Sequence, residues 1–221
     1  MLSHLALIMD GNRRWAKSHS LLPWLGHKQG SKVVEMVMKY CLDNNISYLS
    51  LYTFSLENFA RPEKEVSYLF SLISDSLQQV EKFVDEGIRI KFIGDISKAP
   101  AQTQVDCQKI EQATKDCSKL QCNILFCYGG RQEIASACEG LRKNDKAITT
   151  DAINKSLWTG GIPDPDAVIR TGGVKRLSNF LLYQASYSEI RFLDCLWPDL
   201  TEEVLHKTVL DCIHAQKNSG K

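Results

Sequence analysis

Three short segments carry residues whose types and spacing suit a phosphate-bearing ligand. In the first, Asp10 follows an apolar run at residues 5–9 and precedes Gly11-Asn12-Arg13-Arg14-Trp15. A carboxylate can hold a divalent cation, glycine lets backbone approach a ligand, and an asparagine amide donates hydrogen bonds. The forked guanidiniums of Arg13 and Arg14 match phosphate oxygens. A carboxylate among arginines makes sense if a cation bridges it to a diphosphate. It makes equal sense as a strand-end turn in which Asp10 pairs with Arg14. In the second segment, Ser55-Leu56-Glu57-Asn58-Phe59-Ala60-Arg61-Pro62, the residues Ser55, Asn58 and Arg61 stand at the mouth of a helix. Free backbone amides there favour an anion, and Ser55 or Asn58 can also simply cap the helix. The third segment runs from Arg170-Thr171-Gly172-Gly173 through Lys175 and Arg176 to Leu177-Ser178-Asn179. Two glycines between arginines form either a phosphate loop or a solvated basic turn.

Other chemistries find no support. The G-x-x-x-x-G-K-[ST] and G-x-G-x-x-G spacings are absent, and no local signature of a Ser-His-Asp set occurs. His27 could bind phosphate, relay a proton or be structural. Tyr128-Gly129-Gly130-Arg131 reads as a further anion loop or a plain strand-to-helix turn.

The elements that must position these loops are readable. Candidate strands lie at residues 5–9, 46–54, 88–93, 122–127, 167–170 and 189–193, each preceding or following a segment of helical period. Pro62, Glu63 and Glu65 open a helix in which apolar residues recur at three- and four-residue steps from Val66 to Val84, and Gly87 stops it. Further helices are expected at 30–44, 98–115, 131–142, 150–157, 179–185 and 201–216. The βαβα order predicts a single α/β domain over residues 1–221, with a central, mostly parallel six-stranded sheet flanked by helices.

The 221 residues, 43% of them hydrophobic, suffice for one sizeable core. With 27 Lys+Arg against 26 Asp+Glu, the chain as a whole has no electrostatic reason to bind nucleic acid. Any anion site must be local. The eight cysteines form no C-x-x-C pair and read as reduced thiols of a cytoplasmic protein. No run approaches the roughly 18 apolar residues of a spanning helix, and the N-terminal run is too short for a signal peptide, so a soluble protein is expected.

Taken in order, these loops resemble the cis-prenyltransferases, the family of undecaprenyl diphosphate synthase. The likeness runs from His4 to about Leu200. It rests on residues 4–12 with Arg14-Trp15-Ala16, Gly26-His27, residues 51–55 with Glu57-Asn58 and Arg61-Pro62, Ile93-Gly94-Asp95, residues 128–131, residues 170–173 with Arg176 and 178–182, Glu189, and Trp197-Pro198-Asp199. The resemblance implies a Mg2+-dependent enzyme that condenses isopentenyl diphosphate with an allylic diphosphate. Asp10 would hold the metal, with Glu189 completing its environment. Gly11, Asn12, Arg13, Arg14, Trp15 and His27 would surround the allylic diphosphate. Asn58 would help remove the proton, with Ser55, Leu56, Glu57, Phe59 and Arg61 nearby. Arg170, Arg176, Leu177 and Ser178 would bind isopentenyl diphosphate. The resemblance also implies a homodimer, peripheral membrane contact through the lipid product, and an apolar tunnel lined by the helix after Arg61 and by the strand with Leu125 and Phe126.

The chain departs from the family pattern at several positions. Pro23 stands where an arginine is common, Arg13 replaces a frequent glycine, Phe59 replaces tryptophan and Val174 a common glutamate. The tail, residues 217–221, lacks the usual Arg-x-Gly ending. Thr53 and Phe126 are bulkier than the usual tunnel residues, which hints at a shorter product. The competing readings are the catalytic subunit of a heteromer and, from another class, a phosphatase built on Asp10.

Overall fold

A computed structural model describes residues 2–218. Six strands, β1 (His4–Ile8), β2 (Tyr48–Ser55), β3 (Ile88–Ile93), β4 (Leu120–Tyr128), β5 (Ala167–Arg170) and β6 (Glu189–Phe192), form one sheet in the order β3-β4-β2-β1-β5-β6. Every pairing is parallel, so all strands end on one rim. Helices cover both faces, as a parallel sheet requires. β1 is buried at every position, which its sequence His-Leu-Ala-Leu-Ile anticipates. One face packs Leu5, Leu7, Leu49, Leu51 and Phe126 into the larger apolar core; the other packs Ala6, Ile8, Leu125, Val168 and Phe180.

The helices are α1 (Asn12–Ser18), α2 (Pro23–Asp43), α3 (Glu63–Leu77), α4 (Val80–Glu86), α5 (Ala101–Thr114), α6 (Gly130–Lys143), α7 (Thr150–Ser156) and α8 (Glu202–Asn218). Four points depart from expectation. α1 has no counterpart among the expected helices. The helix expected to run unbroken to Gly87 splits into α3 and α4. Near the break the Ser76 hydroxyl donates to the Leu72 carbonyl (2.8 Å), and the Gln78 and Gln79 amides bond three residues back instead of four. α2 starts at Pro23 rather than residue 30, because proline at the first helical position gives up no needed donor; His27 therefore lies inside a helix, not before one. No α-helix forms at 179–185. Ser178, Asn179 and Leu181 all take positive φ, and Asn179 is tied to the start of α6: the Gly130 amide donates to the Asn179 carbonyl and the Arg131 amide to Asn179 Oδ1, both at 2.8 Å.

Two glycines of α2 set how closely the first loop docks. A Cβ on Gly26 would overlap the Asn12 carbonyl, and one on Gly30 would overlap the Asn12 side chain and the Trp197 indole. Only a bare backbone lets α2 lie against the loop after β1.

Candidate active site

In an open α/β sheet, ligands gather where neighbouring crossovers leave in opposite directions. Here β1 leads to β2 on one side while β5 and β6 lie on the other, so the crevice falls between β1 and β5. Asp10 and Arg170 meet across it. Arg170 Nη2 donates to Asp10 Oδ2 at 2.8 Å, and Arg14 Nη2 lies 3.2 Å from Oδ1. The Arg170 side chain is 6% exposed, the Asp10 side chain 29%. Arg170 also donates to Ser178 Oγ (2.7 Å) and to the Arg176 carbonyl, while its buried Nε has no protein partner. Backbone fixes the strand end: the Thr171 hydroxyl and Trp197 amide both donate to the Asp10 carbonyl, at 2.8 and 3.0 Å. Arg14 also donates to the Gly172 carbonyl (2.7 Å). The strand-end ion pair and a cavity-facing carboxylate thus coexist.

The second loop folds as a 3-10 turn, Leu56–Ala60, closed by a reciprocal capping box between Ser55 and Asn58. The Ser55 amide donates to Asn58 Oδ1 (3.1 Å), which leaves the Asn58 NH2 for a ligand. Arg61 Nη1 pairs with Glu65 at 3.0 Å. His27 Nε2 is buried without a hydrogen-bond partner, 3.7 Å from Glu65. Burial and the Arg61 guanidinium outweigh Glu65 and hold the imidazole at about 4, below its ordinary 6.5. His27 is therefore neutral at pH 7, able to donate one hydrogen bond to an anion.

That depression has a stability consequence. Between pH 6.5 and about 4 the unfolded chain takes up the His27 proton more readily than the folded one, so stability is full above 6.5 and declines on acidification. From pH 7 to 5 the loss should be on the order of 1–2 kcal/mol. Urea denaturation of wild type and His27→Gln at both pH values checks this: the variant should lose less, and parallel losses would remove His27 from the account.

A cavity of about 1280 Å3 opens at this rim and descends between α2, α3 and the sheet. Asp10, Asn12, His27, Ser55, Glu57, Asn58, Arg61, Arg170, Arg176 and Ser178 all line it. An adjoining cavity of about 650 Å3 shares Asp10, Asn12, His27 and Arg61 and adds Gly11, Arg13 and Arg14. Five expected residues line neither. Trp15 donates to Asp199 (2.7 Å) and stacks on His19. Phe59 lies edge-on to Phe54, and Leu56 and Leu177 pack against the two cores. Glu189 pairs with Arg191 and stands level with Ala167 and Leu5, three residues and about 10 Å below the level of Ile8 and Arg170. Within one chain it is not brought to Asp10.

Sequence reasoning passed over Asn179, Gln132 and Glu65. Asn179 Nδ2 donates to Glu57 (2.8 Å) and Gln132 (3.0 Å), tying the second loop to the third at the cavity mouth. No local pattern announces that contact, since Glu57 and Asn179 lie 122 residues apart. Glu65 was legible in principle, because Arg61 and Glu65 have the four-residue spacing of a helical ion pair.

Among the described residues no group of three His, Cys, Asp or Glu could hold a metal by itself. Asp10 is the carboxylate common to both cavities. One carboxylate among several guanidiniums suits Mg2+, which commonly takes one or two carboxylates and draws its remaining oxygens from substrate phosphates and water.

A family described as "Putative undecaprenyl diphosphate synthase" matches residues 8–220. The isoprenyl transferase of Campylobacter jejuni (strain RM1221) is 37% identical over 222 residues, covering 100% of this chain and 99% of its own. That of Clostridium perfringens is 37% identical over 228 residues, covering 100% and 90%. Among solved structures, "a probable undecaprenyl diphosphate synthase" from Campylobacter jejuni superposes with a TM-score of 0.83 at 34% identity, over 96% of this chain and 95% of that one. Lavandulyl diphosphate synthase from Lavandula x intermedia, in complex with dimethylallyl diphosphate, gives 0.90 at 28% identity over 96% and 94%. With the three polar loops gathered on one rim and likeness over the whole length, the chain belongs to the cis-prenyltransferase family, and it is a prenyl-transferring enzyme.

Proposed function

We propose that the chain condenses isopentenyl diphosphate with an allylic diphosphate in the presence of Mg2+, releasing diphosphate and lengthening the prenyl chain through a cis double bond. The observation that carries this reading is the Asp10–Arg170 pair at the rim of a deep cavity with an apolar interior. Arg13, Arg14, His27 and Arg61 face the adjoining cavity and are assigned the allylic diphosphate; Arg170, Arg176 and Ser178 are assigned isopentenyl diphosphate. Asp10 would hold Mg2+, whose charge, when it is bound, stabilises the departing diphosphate. As the allylic C–O bond breaks, the arginines and the neutral His27 hold the anionic oxygens. The alkene of isopentenyl diphosphate forms the new C–C bond and then loses one proton. An amide is no base, and Asn58 Oδ1 is already engaged by the Ser55 amide. The Asn58 NH2 therefore orients the reacting groups, and a diphosphate oxygen takes the proton.

The growing chain would descend past Phe54, Leu69, Ile73 and Phe126. The cavity continues to Ile90, which is level with Cys122, four residues or about 13 Å deeper than Phe126. Its volume exceeds the about 300–1,000 Å3 of ordinary small-molecule sites. Both points favour several additions over the short product that Thr53 and Phe126 hinted at. A phosphatase would have no use for such an apolar depth. The proposal includes a cytoplasmic homodimer that meets membranes through its lipid product. All eight cysteines are unpaired, which suits a reducing compartment, and no described helix is long and apolar enough to cross a membrane.

Mass analysis of products tests the reading directly. Dimethylallyl, geranyl or farnesyl diphosphate with isopentenyl diphosphate and Mg2+ should give prenyl diphosphates longer by whole isoprene units. EDTA should stop the reaction and added Mg2+ restore it. Release of phosphate from simple esters, with no elongation, would replace this reading by a hydrolase.

A further inference from the structure

Behind the cations of the adjoining cavity lies one carboxylate that lines neither cavity. Glu65, in the first turn of α3, has a side chain only 4% exposed. Arg61 reaches it from the preceding turn at 3.0 Å, Arg13 from α1 at 3.6 Å and His27 from α2 at 3.7 Å. These partners come from three separate elements, and each lines the cavity that Asp10 overlooks. Their exposure is graded: the Arg13 side chain is 52% exposed, that of Arg61 28% and that of His27 14%. Glu65 thus sits at the back of a cationic cradle whose front is open.

Such a carboxylate has two separable effects on an anion at the front. By accepting from Arg61 and drawing Arg13 and His27 together, it preorganises the donors. By its charge, little screened because it is buried, it also opposes the anion. We propose that Glu65 is a positioning residue that sets the grip of this cradle on the allylic diphosphate, gathering the cations while weakening their hold enough for substrate and product diphosphates to exchange. This rests on assigning the adjoining cavity to the allylic diphosphate.

The two effects separate by substitution. Glu65→Gln keeps an acceptor for Arg61 but removes the charge, so inorganic pyrophosphate should bind roughly three- to tenfold more tightly, and KM for the allylic diphosphate should fall with it. Glu65→Ala removes both effects, so KM should rise above wild type; Glu65→Asp keeps the charge and should return pyrophosphate affinity towards wild type. A tightening followed by a loosening at one position is not what a general packing defect produces. The measurements are calorimetric titration of the folded proteins with pyrophosphate, competition with the allylic substrate, and the separate response of KM and kcat, with denaturation curves as the check on folding. Unchanged or weaker pyrophosphate binding by folded Glu65→Gln overturns the inference, whatever Glu65→Ala does. If pyrophosphate does not compete with the allylic substrate on the wild-type enzyme, the assignment of the cavity fails instead.

Discussion

Asp10→Ala is expected to lower kcat for condensation by about a thousandfold or more while the protein remains folded. Losing one preorganised group that stabilises transition-state charge costs about 10²–10³ in rate, and this carboxylate would also hold the ion that neutralises the leaving diphosphate. The fold should survive, because the Asp10 carbonyl, not its side chain, anchors the strand end through Thr171 and Trp197. The side chain is 29% exposed, and Arg170 keeps its bonds to Ser178 and the Arg176 carbonyl when the carboxylate goes. Asp10→Asn separates charge from hydrogen bonding: it still accepts from Arg170, yet should be nearly as slow. Single-turnover rates at saturating Mg2+ with parallel melting curves make the comparison. Near-normal turnover by either variant would remove Asp10 from the mechanism.

Arg170→Ala should raise KM for isopentenyl diphosphate by about a hundredfold and also destabilise the protein. Arg170 is the hub of the third loop, with partners on Asp10, Ser178 and the Arg176 backbone. Removing one member of a buried ion pair costs about 3–5 kcal/mol, but the partial exposure of Asp10 lowers that to about 2–3 kcal/mol. Arg170→Lys should recover part of the stability and little of the affinity, since a single ammonium cannot reach three acceptors in the plane of a fork. Urea midpoints and isopentenyl diphosphate titrations of both variants test this. Equal recovery of stability and affinity by lysine would mean that only the charge matters.

The sheet was readable because its inner strands, β1 and β5 above all, are short apolar runs buried on both faces, with helical segments between the strands. All six were found, β3 and β5 with unchanged limits and the others shifted by one or two residues. Part of what escaped is local, and part depends on contacts across the chain. At the α3/α4 break a serine bonds back to its own helix and two amides bond three residues back, while the apolar period runs straight through. Among the positive-φ residues Ser178, Asn179 and Leu181, Asn179 is tied to the start of α6, which lies about fifty residues earlier. In the site, the loops after β1, β2 and β5 were legible because each concentrates charged and polar residues directly after a strand. Trp15 and Phe59, named from the resemblance, line neither cavity in this chain. Glu189 follows its strand register away from Asp10, which a sequence motif does not reveal. Glu65 was hidden by an ordinary role, since an acid in a first helical turn already has a reason to be there.

The close approach of α2 to the loop after β1 carries a lesson about what heredity must preserve. Gly26 and Gly30 offer no charge, donor or nucleophile, yet a single added methyl group at either would press on Asn12 and, through it, on the residues beside Asp10. Part of this active site is therefore written as missing atoms. A genetic change that looks innocuous by chemical class, glycine to alanine, would reshape the cavity from behind by displacing Asn12, which lines it.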